Sequence, residues 1–227
     1  MSTLAKRVTG TLLMAFAMWS SANATVITMN AVGTISDGRD EAGLFKSDVD
    51  LAGKSYSMRM TVDTSSLAAD DLGPGINSVS GVNQTVSVFG ETSVGGQSYS
   101  WKMVYGAASA YLVNYFALGF PQDQAGLFSQ GVNSLNGNFM YAGNDIVSRV
   151  RPFLNGLDFA QPRDFSSVPD AVAYSGFLNN QADGTQTFFF GTPSTLTWSV
   201  SAVPEAEVLA MMLAGLGLIG LVAKKRG

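Results

Sequence analysis

The sequence predicts an all-β fold, an antiparallel β-sandwich or jelly-roll-like domain, and three observations support this. Apolar and polar residues alternate with a period of two in several segments, as expected for strands with one buried face. Turn-forming pairs, including Asp37-Gly38, Asn136-Gly137 and Asp183-Gly184, separate these segments. No segment between the two chain ends has a sustained helical period, although 66–71 or 145–149 would suit a single short turn.

The clearest predicted strands are 54–63, 97–105 and 194–202. In the first, Tyr56, Met58, Met60 and Val62 alternate with polar residues and define one apolar face. Further strands are predicted at 26–35, 84–89, 110–118, 139–141, 171–178 and 185–190. The segment 152–169 contains three prolines and is predicted to be a long surface loop.

Composition excludes several classes of enzyme and site. The 227 residues include no Cys and no His, and the formal net charge is −4. Without these residues the chain has no Ser-His-Asp triad, thiol nucleophile, zinc-thiolate site or disulfide. An acidic chain is also poorly suited to nucleic acid, which is bound by clustered Lys and Arg.

The first 24 residues have the pattern of a secretory signal peptide, predicted to be helical. Lys6 and Arg7 precede an apolar run at 8–19, and the small residues Ala22 and Ala24 then form an A-x-A cleavage site. The apolar run is short for a bilayer span. We therefore expect cleavage after Ala24; the alternatives are an N-terminal membrane anchor or a core helix.

The last 25 residues combine three elements in a fixed order. Val203, Pro204, Glu205 and Ala206 precede an apolar span at 208–223, which ends in the basic cluster Lys224, Lys225 and Arg226. As a helix the span would extend about 24 Å, against about 30 Å for the hydrocarbon core, so it is predicted to be a short transmembrane helix. The basic cluster is expected to stay in the cytoplasm. An ordinary C-terminal anchor, with Pro204 simply starting the helix, is the alternative.

This ordered tail resembles the PEP-CTERM sorting signal of Gram-negative bacteria. The resemblance covers about 25 residues, and Ala206 stands where the family has its second proline. It implies that signal peptidase and an exosortase-like enzyme process the chain, that the precursor is transiently in the inner membrane, and that the mature form reaches the outer surface or the extracellular matrix.

The body at 25–202 is predicted to be one β-sandwich domain, with the sorting tail at 203–227. It carries eight basic and 15 acidic residues, because five of the 13 Lys and Arg lie in the two ends. The mature domain is thus expected to be more acidic than the whole chain, at about −7.

Acidic residues near the start of the body are candidate calcium ligands. Five carboxylates lie within 14 positions: Asp37, Asp40, Glu41, Asp48 and Asp50. Ca²⁺ takes six to eight oxygen ligands in proteins, but the spacing does not match an EF-hand loop. A solvated acidic turn is the favoured alternative, and no other cofactor is expected.

Aromatic residues are candidates for stacking on sugars, with a structural core as the alternative. The candidates are Tyr105, Tyr111, Tyr115, Phe116, Phe120 and the run Phe188, Phe189 and Phe190. No carboxylate pair lies in a recognisable glycosidase motif; Glu41, Glu91 and the pair Asp70-Asp71 were the residues considered.

These observations predict an exported protein that is not an enzyme. Its expected role is structural or interactive, at the cell surface or in the extracellular, biofilm-type matrix. The alternative is a lectin-like domain that binds exopolysaccharide, with or without the help of Ca²⁺.

Overall fold

The computed structural model describes residues 25–46, 50–64, 67–83 and 88–202. Thr25–Ser201 forms one compact unit. The predicted signal peptide and its cleavage site, the sorting motif, the apolar span and the basic cluster lie outside the described residues. Within those residues, no helix has the length and hydropathy needed to cross a bilayer.

The domain is all-β and antiparallel, as predicted. The described residues contain eleven strands and one 3-10 turn, Phe116–Leu118. The strands are β1 Thr25–Asp40, β2 Ser55–Asp63, β3 Ala68–Asp70, β4 Ile76–Asn83, β5 Val88–Val94, β6 Gln97–Asn114, β7 Asp123–Asn133, β8 Phe139–Ser148, β9 Arg163–Asp164, β10 Ala171–Asn180 and β11 Gln186–Ala202.

Eight of these strands close into a barrel. Their order is β6-β5-β2-β1-β11-β10-β8-β7, and β7 pairs with β6 to complete the ring. Strand β4 pairs with the second half of β6 and carries β3 at its outer edge, while β9 pairs with β11. The more specific prediction of a sandwich or jelly roll is not confirmed, because hydrogen bonding joins the strands into a single sheet. Alternation predicts which face of a strand is buried, but it does not predict the strand's partners.

The interior of the barrel is apolar and follows the predicted alternation. Tyr56, Met58, Met60 and Val62 on β2 are all buried, as are Trp101 and Met103 on β6 and Leu196 and Trp198 on β11. Burying these large side chains on one face of each strand is the main stabilising contribution available to a domain without disulfides.

Several strands are longer than predicted. Strand β1 continues through Asp37-Gly38, so the turn predicted there is wrong. Gly38 does not reverse the chain; it allows the neighbouring strand β11 to approach closely. A Cβ atom at Gly38 would lie 2.6 Å from Cβ of Phe189 on the neighbouring strand. Strand β8 continues through 145–148 and β3 occupies 68–70, so strand structure replaces the short turns predicted as possible at these positions. Strands β4 and β7 were not predicted.

The loop at 149–170 covers the end of the barrel where β7 begins. Oδ2 of the buried Asp123 accepts hydrogen bonds from the backbone N–H groups of Phe153 at 2.7 Å and Leu154 at 2.8 Å. Further along, the ring of Phe159 stacks on Trp198, with centroids 5.8 Å apart. The predicted surface loop therefore packs inward over part of its length.

Candidate functional site

The outer face of the barrel carries two rows of residues that run across neighbouring strands. In the first row, Tyr111 on β6 pairs with Gly126 on β7, Gly126 pairs with Asp145 on β8, and Asp145 pairs with Tyr174 on β10. Antiparallel pairing puts directly opposed residues on the same face. The row thus places a carboxylate between two tyrosines.

The second row has a ring at each end and glycine between them. Phe128 on β7 pairs with Gly143 on β8, Gly143 pairs with Gly176 on β10, and Gly176 pairs with Phe190 on β11. Three strand spacings of about 4.8 Å separate the two phenylalanines by roughly 14 Å at the backbone. Because the two glycines have no side chains, there is room above them for the ring of Tyr141, which an added Cβ at either position would meet.

These rows form a small cavity, which we call the aromatic pocket. Its volume is about 180 Å³, below the usual range for drug-sized ligands and suited to one ring or head group. Tyr174 and Phe190 are 53% and 58% exposed and form its outer rim. The lining residues are Tyr111, Phe128, Tyr141, Gly143, Asn144, Asp145, Tyr174, Ser175, Gly176 and Phe190.

Two tyrosine rings lie close to the sheet over glycine positions. A Cβ atom at Gly126 would lie 2.4 Å from Oη of Tyr111, and one at Gly143 would lie 2.9 Å from Oη of Tyr141. Tyr141 also approaches Gly176, where an added Cβ would be 3.1 Å from its Cε1. Glycine at these positions therefore sets where the two rings lie and how deep the pocket is.

Asp145 is the carboxylate of the pocket. Its Oδ2 accepts a hydrogen bond of 2.9 Å from Nε2 of Gln124, and its Oδ1 is shielded from solvent. Among the described residues, no Lys or Arg forms an ion pair with it. Burial raises the pKa of this carboxyl above its usual value, and hydrogen bonds from Gln124 and Tyr111 oppose that rise.

Burial also raises the pKa values of two tyrosines of the pocket, Tyr111 and Tyr141. Burial raises the pKa of Tyr111, and the nearby charge of Asp145 raises it further. The pKa of Tyr141 is raised for the same two reasons, burial first. Both hydroxyls therefore stay protonated and neutral in ordinary buffers and remain available as hydrogen-bond donors.

Next to Gly143 and Gly176 in the sequence, two polar side chains on the same strands point into the barrel interior. Ser175 donates a hydrogen bond of 2.6 Å from Oγ to Oδ1 of Asn144. Nδ2 of Asn144 is buried without a partner. Both residues belong to the pocket lining, although their side chains point away from it into the barrel.

The predicted aromatic candidates separate into three groups. Tyr111 and Phe190 line the pocket, and Phe188 is half-buried beside it. Phe189 lies in the core, where it stacks on Phe177 at 5.5 Å.

Tyr115, Phe116 and Phe120 lie elsewhere, in the connection between β6 and β7, where the rings of Tyr115 and Phe120 meet at 6.4 Å. The side chain of Tyr105 lies outside the described ones. Four further lining residues carry no signal in the sequence and become neighbours only through strand register: Phe128, Tyr141, Tyr174 and Asp145.

The candidate calcium ligands do not converge in the described residues. Asp40 is buried and accepts hydrogen bonds from the N–H groups of Leu44 and Phe45. Glu41 forms an exposed ion pair with Arg39, and Asp50 accepts from the N–H of Ala52.

Asp37 is exposed, and Asp48 falls outside the description. Within the described ranges, no three acidic side chains come together as a metal site would require.

The aromatic pocket combines five aromatic rings with the carboxylate of Asp145 among its lining residues. Rings, hydroxyls and one carboxylate can contact both the apolar and the polar surfaces of a small ligand. No protein-family model, curated protein or solved structure matches this chain.

Proposed function

We propose that this chain is an exported interaction protein, not an enzyme, that acts at the cell surface or in the extracellular matrix. The support for export is the ordered tail, in which Pro204 and Glu205 precede an apolar span and a basic end, on a chain that begins with a signal-peptide pattern. In this proposal residues 1–24 and the tail from 203 direct the compact unit Thr25–Ser201 to its destination.

Mass spectrometry of the protein recovered from the outside of its native host tests this proposal. We expect a mature N-terminus at Thr25 and loss of Lys224, Lys225 and Arg226. Replacement of Pro204 and Glu205 by Ala should leave the precursor in the membrane fraction. A surface form that retains the basic cluster would contradict processing of the tail.

We further propose that the domain is lectin-like and binds exopolysaccharide at the aromatic pocket. The observation that carries this proposal is the pocket over the row Phe128, Gly143, Gly176 and Phe190, where the ring of Tyr141 lies across the two glycines. Sugars present apolar C–H faces and polar hydroxyl edges, and the pocket offers rings beside the hydroxyl of Tyr111 and the carboxylate of Asp145.

Retention of the full-length protein on the host's own polysaccharide tests carbohydrate binding. We expect Tyr174→Ala to weaken retention, because this exposed side chain forms the rim and supports little of the core. Phe120→Ala is the matched control, since Phe120 is 63% exposed but lies outside the pocket. The proposal is refuted if Tyr174→Ala and Phe120→Ala are retained equally, or if the wild type is not retained at all.

A further inference from the structure

We propose that the aromatic pocket selects a sugar that carries a free amine, bound as an ammonium group beside Asp145. This inference rests on the proposed carbohydrate binding and names the chemical class of the ligand. Its basis is a carboxylate among aromatic rings that forms no ion pair in the part of the chain that the structure describes.

The charge of Asp145 is not balanced within the described protein. Gln124 is neutral and hydrogen-bonds one oxygen, and no described Lys or Arg forms an ion pair with the carboxylate. Burying a charge is costly unless an opposite charge accompanies it. A neutral ligand that covered the pocket would remove water from Asp145 without supplying that charge, whereas an ammonium group would supply it.

The surrounding rings favour the same ligand. A cation within about 6 Å of an aromatic ring centre is attracted by the electrons of the ring face. Tyr111, Phe128, Tyr141, Tyr174 and Phe190 all line the pocket that contains Asp145. The rings can therefore stack on the sugar and also stabilise its positive charge.

The charge of the whole domain supports this choice over an acidic sugar. The body carries 15 acidic and eight basic residues. A uronic acid or a sulfated sugar would be repelled by the domain at long range and by Asp145 in the pocket. An amine-bearing polymer would be attracted at both distances, and this attraction would weaken with added salt.

Calorimetric titration of the full-length protein with three tetrasaccharides tests the inference. The probes are a glucosamine tetramer with free amines, an N-acetylglucosamine tetramer and a neutral glucose tetramer, in a buffer that keeps the amines protonated. We expect the free-amine probe to bind about tenfold more tightly than the other two.

Asp145→Asn tests the role of the carboxylate, because it removes the charge and keeps the shape. We expect this variant to bind all three probes with similar affinity. Glu91→Gln is the matched control, since Glu91 is an exposed carboxylate on β5 outside the pocket; it should keep the preference for amines. Tyr174→Ala should weaken the binding of all three probes to a similar extent.

The possible failures are distinguishable. If the acetylated or neutral probe binds as tightly as the free amine, the inference is wrong while carbohydrate binding stands. A preference for amines that survives Asp145→Asn, or is lost in Glu91→Gln, would also overturn it by assigning selectivity to the general charge of the domain. Absence of binding to all three probes and to the host's polysaccharide would overturn both proposals.

Discussion

Asp40 and Thr187 meet inside the barrel although 147 positions separate them, with the threonine hydroxyl donating a hydrogen bond of 2.6 Å to Oδ1 of the carboxylate. The same carboxylate accepts backbone N–H groups of Leu44 at 2.8 Å and Phe45 at 2.9 Å. It therefore joins the end of β1, the following loop and the start of β11. A residue considered as a calcium ligand is instead an internal hydrogen-bond acceptor.

We expect Asp40→Ala to lower the free energy of unfolding by about 3 kcal/mol. The substitution leaves three donors around a buried position without their charged acceptor, and such bonds contribute more than neutral ones. Urea denaturation followed by tryptophan fluorescence measures the change. Asp37→Ala, at an exposed position of β1, serves as control and should change stability by less than about 0.5 kcal/mol. Equal effects of the two substitutions would show that the internal contacts of Asp40 contribute little.

Gly90 is a position where even one methyl group is expected to be destabilising. The indole of Trp101, on the neighbouring strand, lies over it, and an added Cβ would be 2.0 Å from Cζ2 of that ring. Trp101 is buried and donates through Nε1 to Thr92, so it has little freedom to move. We expect Gly90→Ala to cost about 2 kcal/mol by overpacking.

Thermal unfolding with matched glycine variants checks this expectation. At Gly156 an added Cβ meets no atom within 4 Å, so Gly156→Ala should leave the midpoint nearly unchanged. The emission of Trp101 should also shift in Gly90→Ala, because the indole must move. An unchanged midpoint in both variants would mean that the sheet relaxes around the methyl group.

Asp145→Asn is expected to stabilise the unliganded protein at neutral pH by about 1 kcal/mol, since it removes a charge that lacks an opposite charge. Burial raises the pKa of Asp145 in the folded state above its unfolded value. The folded protein therefore takes up a proton more readily, and the wild type should recover relative to the variant as the pH falls through the folded pKa.

Denaturation of both proteins from neutral to acid pH measures this difference. The difference in free energy of unfolding between wild type and Asp145→Asn should become smaller on acidification. The difference between wild type and Glu91→Gln should show no such trend. If the difference in stability between the two proteins widened at acid pH instead, the pKa of Asp145 would be depressed, which would require a cationic partner. If Asp145→Asn gains stability and loses the selectivity for amines, Asp145 is retained for binding and not for stability.

Tyr56→Phe is expected to remove part of the sensitivity to alkali. The hydroxyl of Tyr56 is buried, and burial raises the pKa of this residue to about 12, with Ser175 nearby opposing the rise. Its unfolded value is about 10, so the unfolded chain loses the proton first. The contribution of protonated Tyr56 to stability is thus complete below pH of about 10 and is lost as the pH rises towards 12.

Unfolding midpoints of wild type and Tyr56→Phe across that range test the expectation. At neutral pH the variant should match the wild type within about 1 kcal/mol, because the substitution removes at most one neutral hydrogen bond, to Ser175. Above pH of about 10 the variant should unfold less readily. Tyr111 and Tyr141 leave it some residual alkaline sensitivity. Parallel curves for both proteins would contradict the assigned pKa.

The class of fold and the inward face of most predicted strands are confirmed. The alternation at 54–63 predicted the burial of Met58 and Met60, and the predicted turn at Asp183-Gly184 lies between β10 and β11. The turn predicted at Asp37-Gly38 is wrong, because β1 continues through it, and β7 was not predicted. In those segments glycine serves packing between strands, as at Gly38 and Gly126, and its local preference for turns is overridden.

The candidate site was recovered only in part, for a related reason. Tyr111 and Phe190 were named from sequence as aromatic candidates, but nothing in a single sequence aligns them with Tyr141 or Asp145. These residues come from three strands, β6, β8 and β11, and a register shift of one position would turn each to the other face.

The amino-acid sequence by itself determined an antiparallel β domain without thiol or imidazole chemistry, and it predicts the export signals at both ends. Local patterns suffice for this because alternation, turn residues and apolar runs act over a few neighbouring positions. Only the tertiary structure decided that eight strands close into a barrel, that Asp40 faces inward and that Asp145 lies among aromatic rings. These relationships depend on strand order and register, which bring residues far apart in sequence into contact.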